Sequence, residues 1–186
     1  MQASRIATIS EALCSYSASD LTAQILSDIS VKELFEVLAL QGKAFEKTAF
    51  RAAWALEHLL LQDKTLLLAQ QHQVLQTFLS SGNWSAQRSL TKLVYSLLKH
   101  YTLAAPVLSE EQEEQIISKI MGMLETTECP ISVRANLYDL LYIFVEKHPW
   151  LGRELALQIT LDLEKKNAVA LYARGNKILK QLKVIR

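Results

Sequence analysis

Glycine and proline are scarce in this chain, five and three among 186 residues. Sheet folds and phosphate-cradling loops use glycine for tight turns and close backbone approach, so the shortage favours helices over either. Cysteine is scarcer. Cys14 and Cys129 have no CxxC beside them, which excludes a disulfide framework and a local zinc motif. They read as two reduced, buried thiols of a cytoplasmic protein. Net charge is almost absent: 20 basic against 19 acidic residues leave +1, so no global field draws nucleic acid, a membrane or an acidic substrate. Long apolar runs are missing too. Gln62, Asp63 and Lys64 interrupt the two densest clusters, and neither approaches the roughly 20 residues of a spanning helix. Met1 to Ile6 carries no basic segment leading into an apolar one, so no secretory signal is read there.

What the chain has is repetition. Phe50-Arg51-Ala52-Ala53-Trp54-Ala55-Leu56 opens an apolar helical run, and looser copies open at Gln87-Arg88, Val133-Arg134 and Ala173-Arg174. The arginines are 37, 46 and 40 residues apart, the range of helical-hairpin repeats rather than of a catalytic motif. One hairpin cannot bury its own apolar face, so several must stack. Leu56, Leu93 and Leu140, just after three of the arginines, are the expected core.

The connections support this. Ser30 with Glu33, and Ser109 with Gln112, are capping boxes. Asp20, Asp63 and Asn167 are N-cap candidates, and Gly42 suits a helix stop. Pro130 and Pro149 fit the first position of helices, where a missing amide hydrogen costs nothing. The reading is one all-α domain over 1–186, of about ten helices, with 1–42 as a degenerate N-terminal cap. Asp63 to Leu79 forms one of those helices, and Pro130 to about Lys147 another.

An apolar residue, then Arg, then Ala or Leu at helical spacing resembles the second-helix signature of HEAT repeats. Phe50-Arg51-Ala52 and Val133-Arg134-Ala135 match it. Gln87 departs at the apolar position, and Gly175 places a glycine inside a helix. The resemblance implies a short right-handed α-α superhelix, HEAT- or ARM-like, whose second helices (43–61, 85–101, 130–147 and 167–183) line its concave side. It also implies that Arg51, Arg88, Arg134 and Arg174 hydrogen-bond between neighbouring repeats. The whole chain further resembles short bacterial helical proteins often labelled adenylosuccinate lyase. That lyase carries a Ser-Ser-x-Met-Pro-x-Lys-type loop, whereas Ser80-Ser81 here runs into Gly82-Asn83-Trp84, so lyase activity is not carried over.

No GxSxG, P-loop or GxGxxG is present, and His58, His72, His100 and His148 form no pair at i, i+4. The sequence therefore nominates no catalytic residue, metal ligand or cofactor, and the histidines read as isolated surface groups. Basic residues crowd the C-terminus (Lys165, Lys166, Arg174, Lys177, Lys180, Lys183 and Arg186, with no acid after Glu164). They read as a solvated cap complementing a helix dipole, with anion binding as the sharper alternative. Second-helix side chains not needed by the core are Glu57, His58, Lys92, Lys99, Asp139 and Tyr142. Mixed charge around an aromatic suits a protein or peptide better than a phosphate backbone. A non-catalytic scaffold holding a polypeptide is the reading, a HEAT-like nucleic-acid binder the alternative and an enzyme the third. The oligomeric state stays open.

Overall fold

The computed structural model describes residues 2–15, 28–40, 42–101, 108–165 and 169–184. Among these residues all regular structure is helical. The expected Asp20 cap, the helix through Leu21, Ile25 and Leu26, the Asn167 cap, Lys166 and Arg186 lie outside them. The described residues form ten α-helices: α1 (Ala3–Ser15), α2 (Val31–Leu38), α3 (Glu46–Gln62), α4 (Lys64–Ala69), α5 (Gln71–Ser80), α6 (Trp84–Tyr101), α7 (Glu110–Glu125), α8 (Ile131–Ile143), α9 (Trp150–Leu163) and α10 (Val169–Val184). A 3-10 turn, Lys43–Phe45, leads into α3.

The chain forms two compact units, Met1–Val94 and Tyr95–Arg186. In the first, α2 packs on α3, and α1 packs on both. Arg5 ties α1 to the start of α2, its Nε donating to Glu33 Oε1 at 2.7 Å and its Nη2 to the Asp28 carbonyl at 2.6 Å. Ile9, Leu13, Leu34, Leu56, Val74, Phe78 and Leu93 are fully buried. In the second unit α8 is central, with α7, α9 and α10 packed against it and α9 against α10. Its core holds Ile116, Ile120, Leu137, Tyr138, Leu140, Leu155 and Ile159. Leu56, Leu93 and Leu140 are all at 0% exposure, as their position after the arginines requires.

Both capping boxes form, Ser30 with Glu33 and Ser109 with Gln112. Asp63 caps α4, accepting from the amides of Thr65 and Leu66. The expected helix from Asp63 to Leu79 is broken at Gln70, so α4 and α5 replace it. Pro130 and Pro149 stand one place earlier than expected, as N-cap residues. α8 stops at Ile143 rather than near Lys147. Gly42 sits beyond the end of α2, at φ 102°, a left-handed conformation that glycine enters without strain. Cys129 is buried but Cys14 only half-buried. Among the described residues no helix is long and apolar enough to cross a membrane.

Candidate functional site

On α8, Asn136, Asp139 and Tyr142 recur every three residues and stay half-buried, while Val133, Leu137, Leu140 and Leu141 face the core. Arg174 reaches this face from α10. Its Nη1 donates to Asn136 Oδ1 at 2.9 Å and its Nε lies 3.3 Å from Asp139 Oδ2, so one guanidinium bridges two side chains about one turn apart on α8. Lys177, about one turn further along α10, and Lys99, from α6, also act electrostatically on Asp139. Lys99 Nζ lies 5.7 Å from the centre of the Tyr95 ring, a cation–π contact. Residues of α8, of α10 and of the last part of α6, all in the second unit, thus supply two tyrosines, an amide, three cations and one carboxylate.

Asp139 decides the character of the cluster. Burial raises its affinity for a proton, and Arg174, Lys177 and Lys99 pull it back only in part, leaving it above the ordinary Asp value. Three cations thus act on this one carboxylate, beside partly exposed aromatics. Such a surface can receive a carboxylate and stack an apolar or aromatic neighbour. Of the sequence candidates, Lys99, Asp139, Tyr142 and Arg174 belong to this second-unit face. Lys177, read as part of a basic tail, acts on the same carboxylate.

The others lie in the first unit. Glu57 on α3 and Lys92 on α6 form an ion pair of 2.6 Å. His58 is exposed, stacks on half-buried Trp54 with centroids 5.9 Å apart and contacts Gln62 Nε2 at 3.1 Å. A hollow of about 860 Å³ in the same unit is lined by Trp84, Gln73, Gln76, Asn83 and several serines. Its two charged residues, Lys43 and Glu46, are of opposite sign.

The four repeat arginines have four environments. Arg51 is half-buried, 6.0 Å from the Phe50 ring centre. Arg88 is exposed. Arg174 joins the Asp139 face. Arg134 is buried, and its guanidinium donates to the carbonyls of Leu124 and Thr126, closing the C-terminus of α7, and to Asp162 Oδ2 at 2.8 Å. Asp162 also accepts from Tyr138 Oη at 2.6 Å, Gln158 Nε2 at 3.0 Å and Lys165 Nζ at 2.7 Å. Burial works to raise its pKa, but those donors and Arg134 outweigh it and hold Asp162 below the ordinary value. Burial and the Asp162 carboxylate drive the Tyr138 phenol far upward. This network holds α7, α8 and α9 together.

A second such group closes the other end of α8. Glu113, buried in the first turn of α7, receives Lys147 Nζ at 2.8 Å and contacts His148 Nε2 at 2.5 Å. His148 is therefore not an isolated surface histidine. Burial would raise Glu113, yet the Lys147 and His148 contacts prevail and its pKa is lowered.

Sequence reasoning missed Asn136 and Asp162, and placed Lys177 with a basic tail rather than with Asp139. The first lies three residues before Asp139, so helical spacing carries that signal. Asp162 follows Leu151, Leu155 and Ile159 on the buried side of α9, and a carboxylate there requires a partner. Among the described residues no group of three or more His, Cys, Asp or Glu is arranged to hold a metal ion. Comparison with protein-family models, with curated proteins and with solved structures finds no match to this chain.

Proposed function

We propose that this chain is a non-catalytic helical scaffold that holds an acidic segment of a polypeptide, its hairpins stacked in a HEAT-like right-handed superhelix. The observation that carries the reading is the Asp139 face: Lys99, Arg174 and Lys177 surround one half-buried carboxylate, with Tyr95 beside Lys99 and Tyr142 one turn from Asp139. Aromatics and arginine are what protein interfaces enrich. Cations grouped on one face select carboxylates, and Asp139 among them disfavours a continuous phosphate backbone, which wants one sign throughout. The buried ion groups are occupied in holding helices together, which suits a scaffold.

The test uses a fluorescein-labelled peptide of alternating Glu and Tyr, and a labelled DNA duplex of matching net charge, titrated by anisotropy. The peptide is expected to bind, and Lys99→Glu with Lys177→Glu to weaken it by about tenfold or more, the scale of one lost charge contact. Tighter binding of the duplex, with affinity falling steeply and log-linearly with salt, would select the nucleic-acid reading instead.

A further inference from the structure

α9 is apolar on two opposite sides. Leu151, Leu155 and Ile159 are fully buried against the rest of the unit. Trp150, Leu157 and Leu161 are 55%, 56% and 47% exposed. At about 100° per residue, Leu157 and Leu161 fall within roughly 20° of Trp150, so the three form one straight outer stripe. Scattered surface leucines need no explanation, whereas an aligned stripe with a tryptophan marks a contact surface.

The charges beside the stripe indicate its occupant. Arg153 and Glu164 lie on one flank, about 60° and 40° from the line through Trp150, and Glu154 lies on the other. Arg153 and Glu164 are exposed, and neither has an ion-pair partner among the described residues. Glu164 still has helical backbone angles, so it continues the face.

We propose that α9 pairs with α9 of a second copy of this chain, antiparallel, about a twofold axis level with Leu157. In such a pair equal flanks meet. Leu157 then packs on its symmetry mate. Trp150 comes within about 4.5 Å, measured along the axis, of the level of Leu161 of the second copy, and Arg153 equally close to that of Glu164. Both contacts occur twice. The two Glu154 side chains, of like charge on the other flank, stand about 9 Å apart along the axis. One helix face, about 20 Å long and 10 Å wide, is well below the roughly 800 Å² per partner of a standard interface. The dimer is therefore weak and forms at high micromolar concentration.

Sedimentation equilibrium of the whole chain over about 5–500 µM, a range matched to a micromolar dissociation constant, provides the test. The mass should rise from 21.0 kDa toward twice that value. Leu157→Glu, a change at an exposed site whose fold is checked by circular dichroism, should remain monomeric throughout. Register is tested in a chain with Cys14→Ala and Cys129→Ala. There Leu157→Cys should form a disulfide-linked dimer under mild oxidant about tenfold faster than Glu154→Cys, because only the thiols at the axis reach bonding distance. A constant monomer mass, a dimer untouched by Leu157→Glu, or equal cross-linking from the two positions would each overturn the pairing.

Discussion

Asp162 receives four donors on two oxygens, and Arg134 gives to two backbone carbonyls as well as to that carboxylate. Removing one partner of a buried pair strands the other, which costs about 3–5 kcal/mol. Asp162→Ala and Arg134→Ala should each lose that much in urea unfolding, and Tyr138→Phe less, about 1–2 kcal/mol for one hydrogen bond to a charged group. The fully buried Leu56, Leu93 and Leu140 should lose about 2–5 kcal/mol each on truncation to Ala. Asp139 behaves in the opposite sense. Its raised pKa means that the folded protein holds the carboxylate charged at a cost, and that cost appears as pH rises above the ordinary Asp value. Asp139→Asn is therefore expected to raise the melting temperature at pH 7, with a gain that shrinks as the pH falls through that value. An unchanged or lowered melting temperature at pH 7 would mean that the Arg174 contact outweighs burial.

Two glycines inside helices show how an element's fit decides a substitution that helix propensity alone would misjudge. At Gly122 on α7 an added Cβ meets nothing within 4 Å. Gly122→Ala should therefore stabilise by up to about 1 kcal/mol. At Gly175 on α10 the same atom would lie 2.9 Å from Ile159 Cγ2, on the stiff β-branch of a buried residue. Gly175 lets α10 approach α9 closely, and Gly175→Ala should cost about 1–3 kcal/mol through overpacking. Chemical denaturation of the two variants checks the opposite signs. Gly175, out of place in the repeat signature, thus has a packing reason that no pattern discloses. Local signals were legible: the serine capping boxes, the Asp63 cap and the apolar faces are fixed by residues within one turn. The break at Gln70 was not, since no Gly or Pro marks it. Nor was the early stop of α8, where the chain turns so that Lys147 and His148 both reach Glu113, 34 and 35 residues away. At the candidate site the sequence named Lys99, Asp139, Tyr142 and Arg174 but assigned Arg174 to a common role with three other arginines. Spacing places a residue on a face; it does not say which distant carboxylate that face meets.

At the scale of the whole molecule acid should be destabilising, because among the described residues the depressed carboxylates outnumber the raised one. Glu33 has its pKa lowered from 4.5 to about 2, first by its hydrogen bond to Arg5 and then by the Ser30 amide and hydroxyl. Glu113 and Asp162 are also lowered. A carboxylate with a depressed folded-state pKa contributes stability above its unfolded value and loses it as pH falls through the folded one. The share from Glu33 should fade between about pH 4.5 and 2. Those of Glu113 and Asp162 should fade below the ordinary carboxylate range, while protonation of Asp139 relieves a cost and partly offsets them. Melting temperature measured from pH 7 to 2 should thus stay level at first and then drop below about pH 4.5. Salt separates the contributions. The Arg5–Glu33 pair is half-buried, with side chains 38% and 24% exposed, whereas Arg134 and Asp162 are at 7% and 2%. At 1 M salt the screening length shrinks to about 3 Å, so the Arg5–Glu33 pair should weaken while the buried one persists. Glu33→Gln should accordingly lose most of its effect on the acid limb in 1 M sodium chloride, and Asp162→Asn should keep its own. Equal attenuation of both would show that the Asp162 network is open to water and does not act as the dry clamp between α7, α8 and α9.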